Sequence, residues 1–184
     1  HITEACHQAL ERLQVDYLDL FFCHRADPDT PIGETVWAMH NLVTQGKVLY
    51  WGTSEWTAEE ITEAYEFAYM NHLTPPSMEQ PQYNLLDRKR FEQEYGSLYE
   101  KYGLGTTIWS PLASGALTGK YLGGNMPINA RLTLFPNYNR FSNEESKKAI
   151  QKYKGEITIL GETPLLEFEI GSEDKYLVAL KKQA

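Results

Sequence analysis

Apolar positions along this chain follow two alternating rhythms. Val15 to His24, VDYLDLFFCH, is an aromatic-rich run too short for a helix and too continuous for a half-exposed strand, the pattern of a buried parallel strand. Thr30 as N-cap and Pro31 at the first helical position then open IGETVWAMHNLVTQG, where Val36, Met39, Leu42 and Val43 recur at helical spacing and Gly46 supplies the stop. Lys47 to Thr53, KVLYWGT, reads as the next strand. Thr57 and Glu60 form a capping box for the helix AEEITEAYEFAYMN. TPPSMEQ is a short third strand placed after Pro75 and Pro76. Asp87 caps RKRFEQEYGSLYEKY, with Phe91, Tyr95, Leu98 and Tyr102 on one face and Gly103 past its end. A fourth strand enters GTTIWSPLASGALTGKY, where an apolar β-branched run gives way to small residues, hydroxyls and Lys120.

The last polar residues of these four strands are His24, Ser54, Gln80 and Ser110, separated by 30, 26 and 30 residues. Strand and helix alternating at so regular an interval predict an α/β fold with a parallel sheet and right-handed crossovers. A partial (β/α)8 TIM barrel of about four βα units fits, because function in that architecture collects where strands end. An open doubly wound sheet fits less well, since no G-x-G-x-x-G follows any strand. A complete barrel takes roughly 250 residues, so the chain is expected to be an internal fragment, with a helix already under way at His1. The expected division is 1–154 as partial barrel and 155–184 as an atypical tail. A helix capped by Ser142 with Glu145 precedes that tail. There Phe168 and Ile170 alternate with Glu167 and Glu169, and Gly161, Pro164 and Gly171 mark turns, an antiparallel pattern.

Composition narrows the function. With 184 residues and a net charge of −8, the chain has length for one sizeable core and lacks the basic field that nucleic acid or an anionic membrane surface requires. No apolar run of membrane-spanning length and no signal peptide is present, so a cytoplasmic protein is expected. Cys6 and Cys23, without metal-ligand spacing, read as reduced core thiols. Any bound phosphate must be held locally, and the fourth strand end, with its small residues and Lys120, is the place for it.

At MHNLVTQGKVLYWGTSEW, PSMEQPQYNLLDR and TTIWSPLASGALTGKY the chain resembles the aldo-keto reductases, most closely the branch containing the voltage-gated potassium channel β-subunits and their bacterial, fungal and plant relatives. The resemblance runs in order from about Ile2 to Tyr153. It implies a (β/α)8 barrel that binds NADPH without a Rossmann motif and moves a hydride between nicotinamide and the carbonyl carbon of an aldehyde or ketone. His24, in FFCHR, would be the tetrad histidine. An imidazole there can donate a hydrogen bond to the oxygen on which negative charge develops. Ser54 and Gln80 match positions that hydrogen-bond the nicotinamide carboxamide, and Tyr83 matches one that places an aromatic ring against the nicotinamide face. Trp109, Ser110, Pro111, Leu112, Ala113, Ser114 and Gly115 resemble the loop along the cofactor pyrophosphate, with Lys120 as its positive charge and Arg131 as a further position near the cofactor. No role is carried to Glu55, where animal channel subunits have Arg.

The resemblance also marks what these residues lack. The family's tetrad Asp, proton-donating Tyr and Lys match nothing here. Tyr17, Tyr50 and Tyr83 all fall outside the proton-donor motif, so the isolated chain is expected to be inactive. The tail departs from the family's adenosine-phosphate site, leaving NADPH against NADH open. A regulatory or redox-sensing β-subunit that binds NADPH and a partner such as an ion channel stays open beside the enzyme. Asn rather than His at position 24 would have suited that role better. An isomerase- or aldolase-like barrel is disfavoured because Lys47 begins a strand instead of lying within one. Homo-oligomers are implied by the channel-associated branch.

Overall fold

Helix α1 (Ile2–Leu13) leads into strand β1 (Leu18–Cys23), and the alternation continues through α2 (Ile32–Thr44), β2 (Val48–Thr53), α3 (Ala58–Met70) and β3 (Met78–Glu79). The computed structural model describes residues 1–124, 126–135, 144–153, 158–160, 165–170 and 174–179. A π-helical turn (Arg90–Glu94), α4 (Gly96–Tyr102) and β4 (Gly105–Thr106) follow. The chain divides into two units, one of His1–Tyr83 with Asp87–Trp109 and one of Asn84–Leu86 with Ser110–Ala184.

In the first unit the four strands lie side by side in the order β1-β2-β3-β4, every pair parallel. Leu20 pairs with Tyr50, Phe22 with Gly52, Gly52 with Met78 and Met78 with Gly105. This is the expected partial α/β barrel. Gly52 is glycine for a steric reason, since a Cβ there would stand 2.3 Å from the Met78 carbonyl oxygen. The core forms from Val36, Met39 and Leu42 of α2, Ile61, Ala64, Tyr65 and Ala68 of α3, and Tyr95 and Leu98, packed with Trp51 and Trp56. The helical spacing therefore selects the faces that are buried.

Three local expectations are corrected. β1 is not a fully buried strand: Leu20 is 43% exposed and Tyr17 50%, because among the described strands β1 pairs only with β2. Leu49 and Tyr50 of β2 are exposed as well. Thr30 does not cap α2. Pro31 takes the N-cap position, and the Thr30 hydroxyl donates instead to Asp27 Oδ2 at 2.8 Å. Nor does Asp87 cap one continuous helix. The Tyr95 amide reaches back five residues to the Arg90 carbonyl at 3.0 Å, and a separate α4 begins at Gly96. Tyr95 is buried with its hydroxyl donating to the Trp56 carbonyl; that inward anchor and Gly96, a weak helix former, favour the wider turn. The capping box at Thr57 and Glu60 and the left-handed Gly103 after α4 are as expected.

The second unit starts with a 3-10 segment (Ala113–Thr118) and a short one at Leu122–Gly124, then α5 (Arg131–Leu134) and α6 (Glu144–Tyr153). Ala113, Ala116 and Leu117 bury against Ile150 of α6. Strands β5 (Thr158–Leu160), β6 (Leu165–Ile170) and β7 (Asp174–Ala179) pair antiparallel, Thr158 opposite Glu167 and Phe168 opposite Tyr176. Ser142, the expected cap of α6, lies outside the described residues.

Candidate functional site

Parallel strands in register bring their carboxyl ends to one edge, and three polar residues follow directly from β1, β2 and β3. His24 follows β1 and is exposed. Ser54 follows β2, is 3% exposed, and its amide donates to the Cys23 carbonyl at 3.1 Å. Gln80 follows β3, its amide donating to the Thr53 carbonyl at 2.8 Å. Side chains tie these ends together. The Ser54 hydroxyl donates to the Gln80 carbonyl at 3.0 Å, and Gln80 Nε2 donates to Thr107 Oγ1 at 3.3 Å. Both bonds use donors, so the Ser54 oxygen and the Gln80 amide oxygen remain as acceptors. Arg25, which the sequence reading passed over, donates from Nη1 to the His24 carbonyl, to Ser54 O at 3.3 Å and to Ser54 Oγ at 3.5 Å. It brings positive charge to an edge of an acidic protein.

Tyr83 and Trp109 extend this edge. Tyr83 stacks on Phe91 with centroids 4.1 Å apart, and its hydroxyl donates to Glu92 Oε1 at 2.8 Å. Burial works against the Glu92 carboxylate, but bonds from Arg88 and Tyr83 outweigh it and hold the group below the ordinary carboxylate range. Trp109 forms a bridge with Gln82 beyond β4, and its indole N–H donates to Glu55 Oε1 at 2.9 Å.

Two carboxylates missed in the sequence organise the same edge. Glu55 stands after Ser54 with φ 61, the left-handed region that non-glycine residues seldom adopt. It accepts from Trp109 and from the Gln82 amide, and pairs with Arg90 Nη1 at 2.9 Å. Glu79, fully buried in β3, accepts from the Thr53 hydroxyl and the Glu55 amide. Burial pushes its carboxyl up to about 7, opposed by those hydrogen bonds and one from the Trp56 amide, and reinforced by the charge of Glu55. Only an acid beside the last polar group of each of two adjacent strands, Glu55 after Ser54 and Glu79 before Gln80, signals this arrangement in the sequence. The thiols are free, and burial pushes Cys23 up to about 12, the behaviour of an unreactive core cysteine.

In the second unit the loop from Ser110 folds on itself through left-handed residues Ser110, Ala113, Ser114 and Gly115, with φ of 56, 49, 57 and 89. Ser110 O accepts from the Ala113 amide at 2.9 Å and Ser110 Oγ from the Ser114 amide at 3.1 Å. The Leu112 carbonyl, next to Pro111, accepts from Gly115 at 2.9 Å and Leu117 at 3.2 Å. In this conformation, then, four of the loop amides that could meet a phosphate are bonded within the loop. Asn84 holds the loop's start, donating from Nδ2 to Ser110 O at 3.1 Å. Lys120 folds across Gly115, where a Cβ would stand 2.8 Å from its Nζ. Gly115 suits this position through its left-handed backbone, φ 89, and leaves the space that the lysine end fills. Arg131 is exposed and opens α5.

A run of parallel βα units with hydrogen-bonding side chains at successive strand ends defines a partial α/β barrel, an architecture in which active sites collect at the carboxyl edge. The family model described as Aldo/keto reductase family matches residues 1–161, and the chain belongs to that family. A protein of Oryza sativa subsp. japonica named "Probable voltage-gated potassium channel subunit beta" is 50% identical over 143 residues, which cover 78% of this chain and 43% of the relative. One of Arabidopsis thaliana with the same name is 48% identical over 143 residues, with the same shares covered. The chain thus spans less than half the length of these curated relatives.

Proposed function

We propose that the protein is an NADPH-dependent oxidoreductase in which a hydride passes between nicotinamide and the carbonyl carbon of an aldehyde or ketone. The observation that carries this reading is the edge where Ser54 and Gln80 are locked to each other through their donors, which leaves the Gln80 amide oxygen to accept and the Ser54 oxygen, already taking Arg25 Nη1, with a second lone pair. An amide-bearing ring offers two N–H donors to such a pair. NADPH supplies the hydride when bound; the chain's own residues bind, orient and polarise. Ser54 and Gln80 would hold the carboxamide, Tyr83 would add an aromatic ring beside it, and Trp109 would open the loop along the pyrophosphate. Lys120, drawn over Gly115, suits a phosphate, with Arg131 as a further cation and Ser110, Pro111, Leu112, Ala113 and Ser114 as its loop. Amides of that loop would have to exchange internal bonds to join in. His24 would donate to the carbonyl oxygen as charge develops there. Proton transfer itself needs a donor in reach, and none of the tyrosines in these 184 residues occupies the family's donor motif. The tetrad Asp, Tyr and Lys would come from elsewhere in the intact polypeptide, and the 184 residues alone would not turn over substrate.

Titration of the intact polypeptide with NADPH, followed by tryptophan fluorescence, tests the reading. Saturable quenching is expected, weakened about tenfold by Ser54→Ala or Gln80→Ala, the size of one good hydrogen bond. His24→Ala should leave that affinity alone and lower kcat about a hundredfold. No saturable binding would sink the proposal. The names of the two relatives favour a second reading, a subunit that binds NADPH and a channel-like partner. Tight NADPH binding without turnover of any aldehyde or ketone would select it.

A further inference from the structure

Glu55 gathers the ends of three strands and the π-helical turn onto one carboxylate. Its residue follows β2; Oε1 accepts from the Gln82 amide beyond β3 and from Trp109 Nε1 beyond β4, while Oε2 pairs with Arg90 Nη1 of the turn. Its own amide is bound by Glu79, and its backbone is left-handed at φ 61. A non-glycine residue stays in that conformation only where its surroundings over-determine it. Arg90 holds Oε2 and also pairs with Glu94 at 3.4 Å, which leaves Oε1 for the Gln82 and Trp109 donors. The Trp109 backbone is fixed independently, its amide donating to Pro81 O at 3.1 Å and its carbonyl accepting from the Tyr83 amide at 3.4 Å. What the backbone bonds leave open is the direction of the indole ring, and its N–H is directed at Glu55 Oε1, 2.9 Å away.

We infer that Glu55 is a positioning residue: its carboxylate fixes the Trp109 ring at the edge that carries Ser54 and Gln80, and cofactor affinity depends on that bond. The second half rests on the NADPH-dependent reading above.

The test uses the intact polypeptide with isotope-labelled tryptophan. The Trp109 indole N–H resonance, assigned by its loss in Trp109→Phe, is expected downfield in the wild type, as for a donor to a carboxylate, and upfield in Glu55→Ala. Glu55→Gln, which keeps a neutral acceptor, should fall between. NADPH affinity is expected to drop about tenfold in Glu55→Ala and to recover within about threefold of wild type in Glu55→Gln. Added to Trp109→Phe, Glu55→Ala should cause no further loss, the signature of residues acting as a unit. An indole resonance that Glu55→Ala does not move, or losses that add in full, overturns the inference. If circular dichroism shows Glu55→Ala unfolded, Glu55→Gln decides alone, and an unmoved resonance overturns it. A resonance that moves as expected in a protein that binds no NADPH overturns the cofactor reading and the affinity claim together, and leaves the Glu55–Trp109 bond established.

Discussion

Glu79 shows how one residue couples the candidate site to pH. A carboxyl that titrates near 7 when folded and near 4.5 otherwise holds its proton more tightly in the folded state. Its contribution to stability is therefore full below about pH 4.5 and is lost as pH rises through about 7. The loss is on the order of 3 kcal/mol for so buried a group. Glu79→Gln keeps the acceptor for Thr53 or Glu55 and cannot ionise, so urea unfolding across that range should give a flatter stability profile than the wild type. Equal slopes would show that Glu79 titrates as an ordinary surface acid. Legibility at this scale divides along the same lines. His24, Ser54 and Gln80 are visible in the sequence because each is the polar residue that ends an apolar run. Glu55 and Glu79 are not, because what they do depends on partners such as Trp109, 54 positions from Glu55, and no local pattern encodes that pairing.

Among the elements, those defined by neighbours in sequence were legible. The Thr57–Glu60 box closes with the Thr57 amide donating to Glu60 Oε2 at 2.7 Å and the Glu60 amide to Thr57 Oγ1 at 3.2 Å. Thr57→Ala should cost about 1 kcal/mol, read as a lowered Tm with the fold retained. No loss of Tm would mean solvent caps α3 equally well. The π-helical turn was illegible for a physical reason. RKRFEQEYGSLYEKY has helical periodicity throughout, and the extra residue becomes apparent only when Tyr95 reaches Trp56. That turn has its use, placing Arg90 on Glu55 while Phe91 lies against Tyr83. β4 likewise shrinks to Gly105–Thr106 because the chain beyond it bonds through isolated contacts at Thr107 and Trp109.

At the scale of the whole molecule, alternating strands and helices were enough to anticipate a parallel sheet, since crossover geometry leaves few alternatives. The burial of each strand was not deducible, because the same apolar run serves a central or an edge strand and only the number of paired neighbours separates them. Among the described residues β1 pairs on one side only, with β2, and Leu20, Leu49 and Tyr50 are 43%, 45% and 58% exposed. An apolar strand with one open row of amides and carbonyls is a template for another chain. For these 184 residues in isolation, Leu20→Lys is therefore expected to reduce light scattering at high protein concentration with little change in Tm; scattering equal to the wild type would clear β1 of that role. The keeping quality of such a preparation would then be governed by how many copies share the tube, and dilution would preserve it where cooling would not.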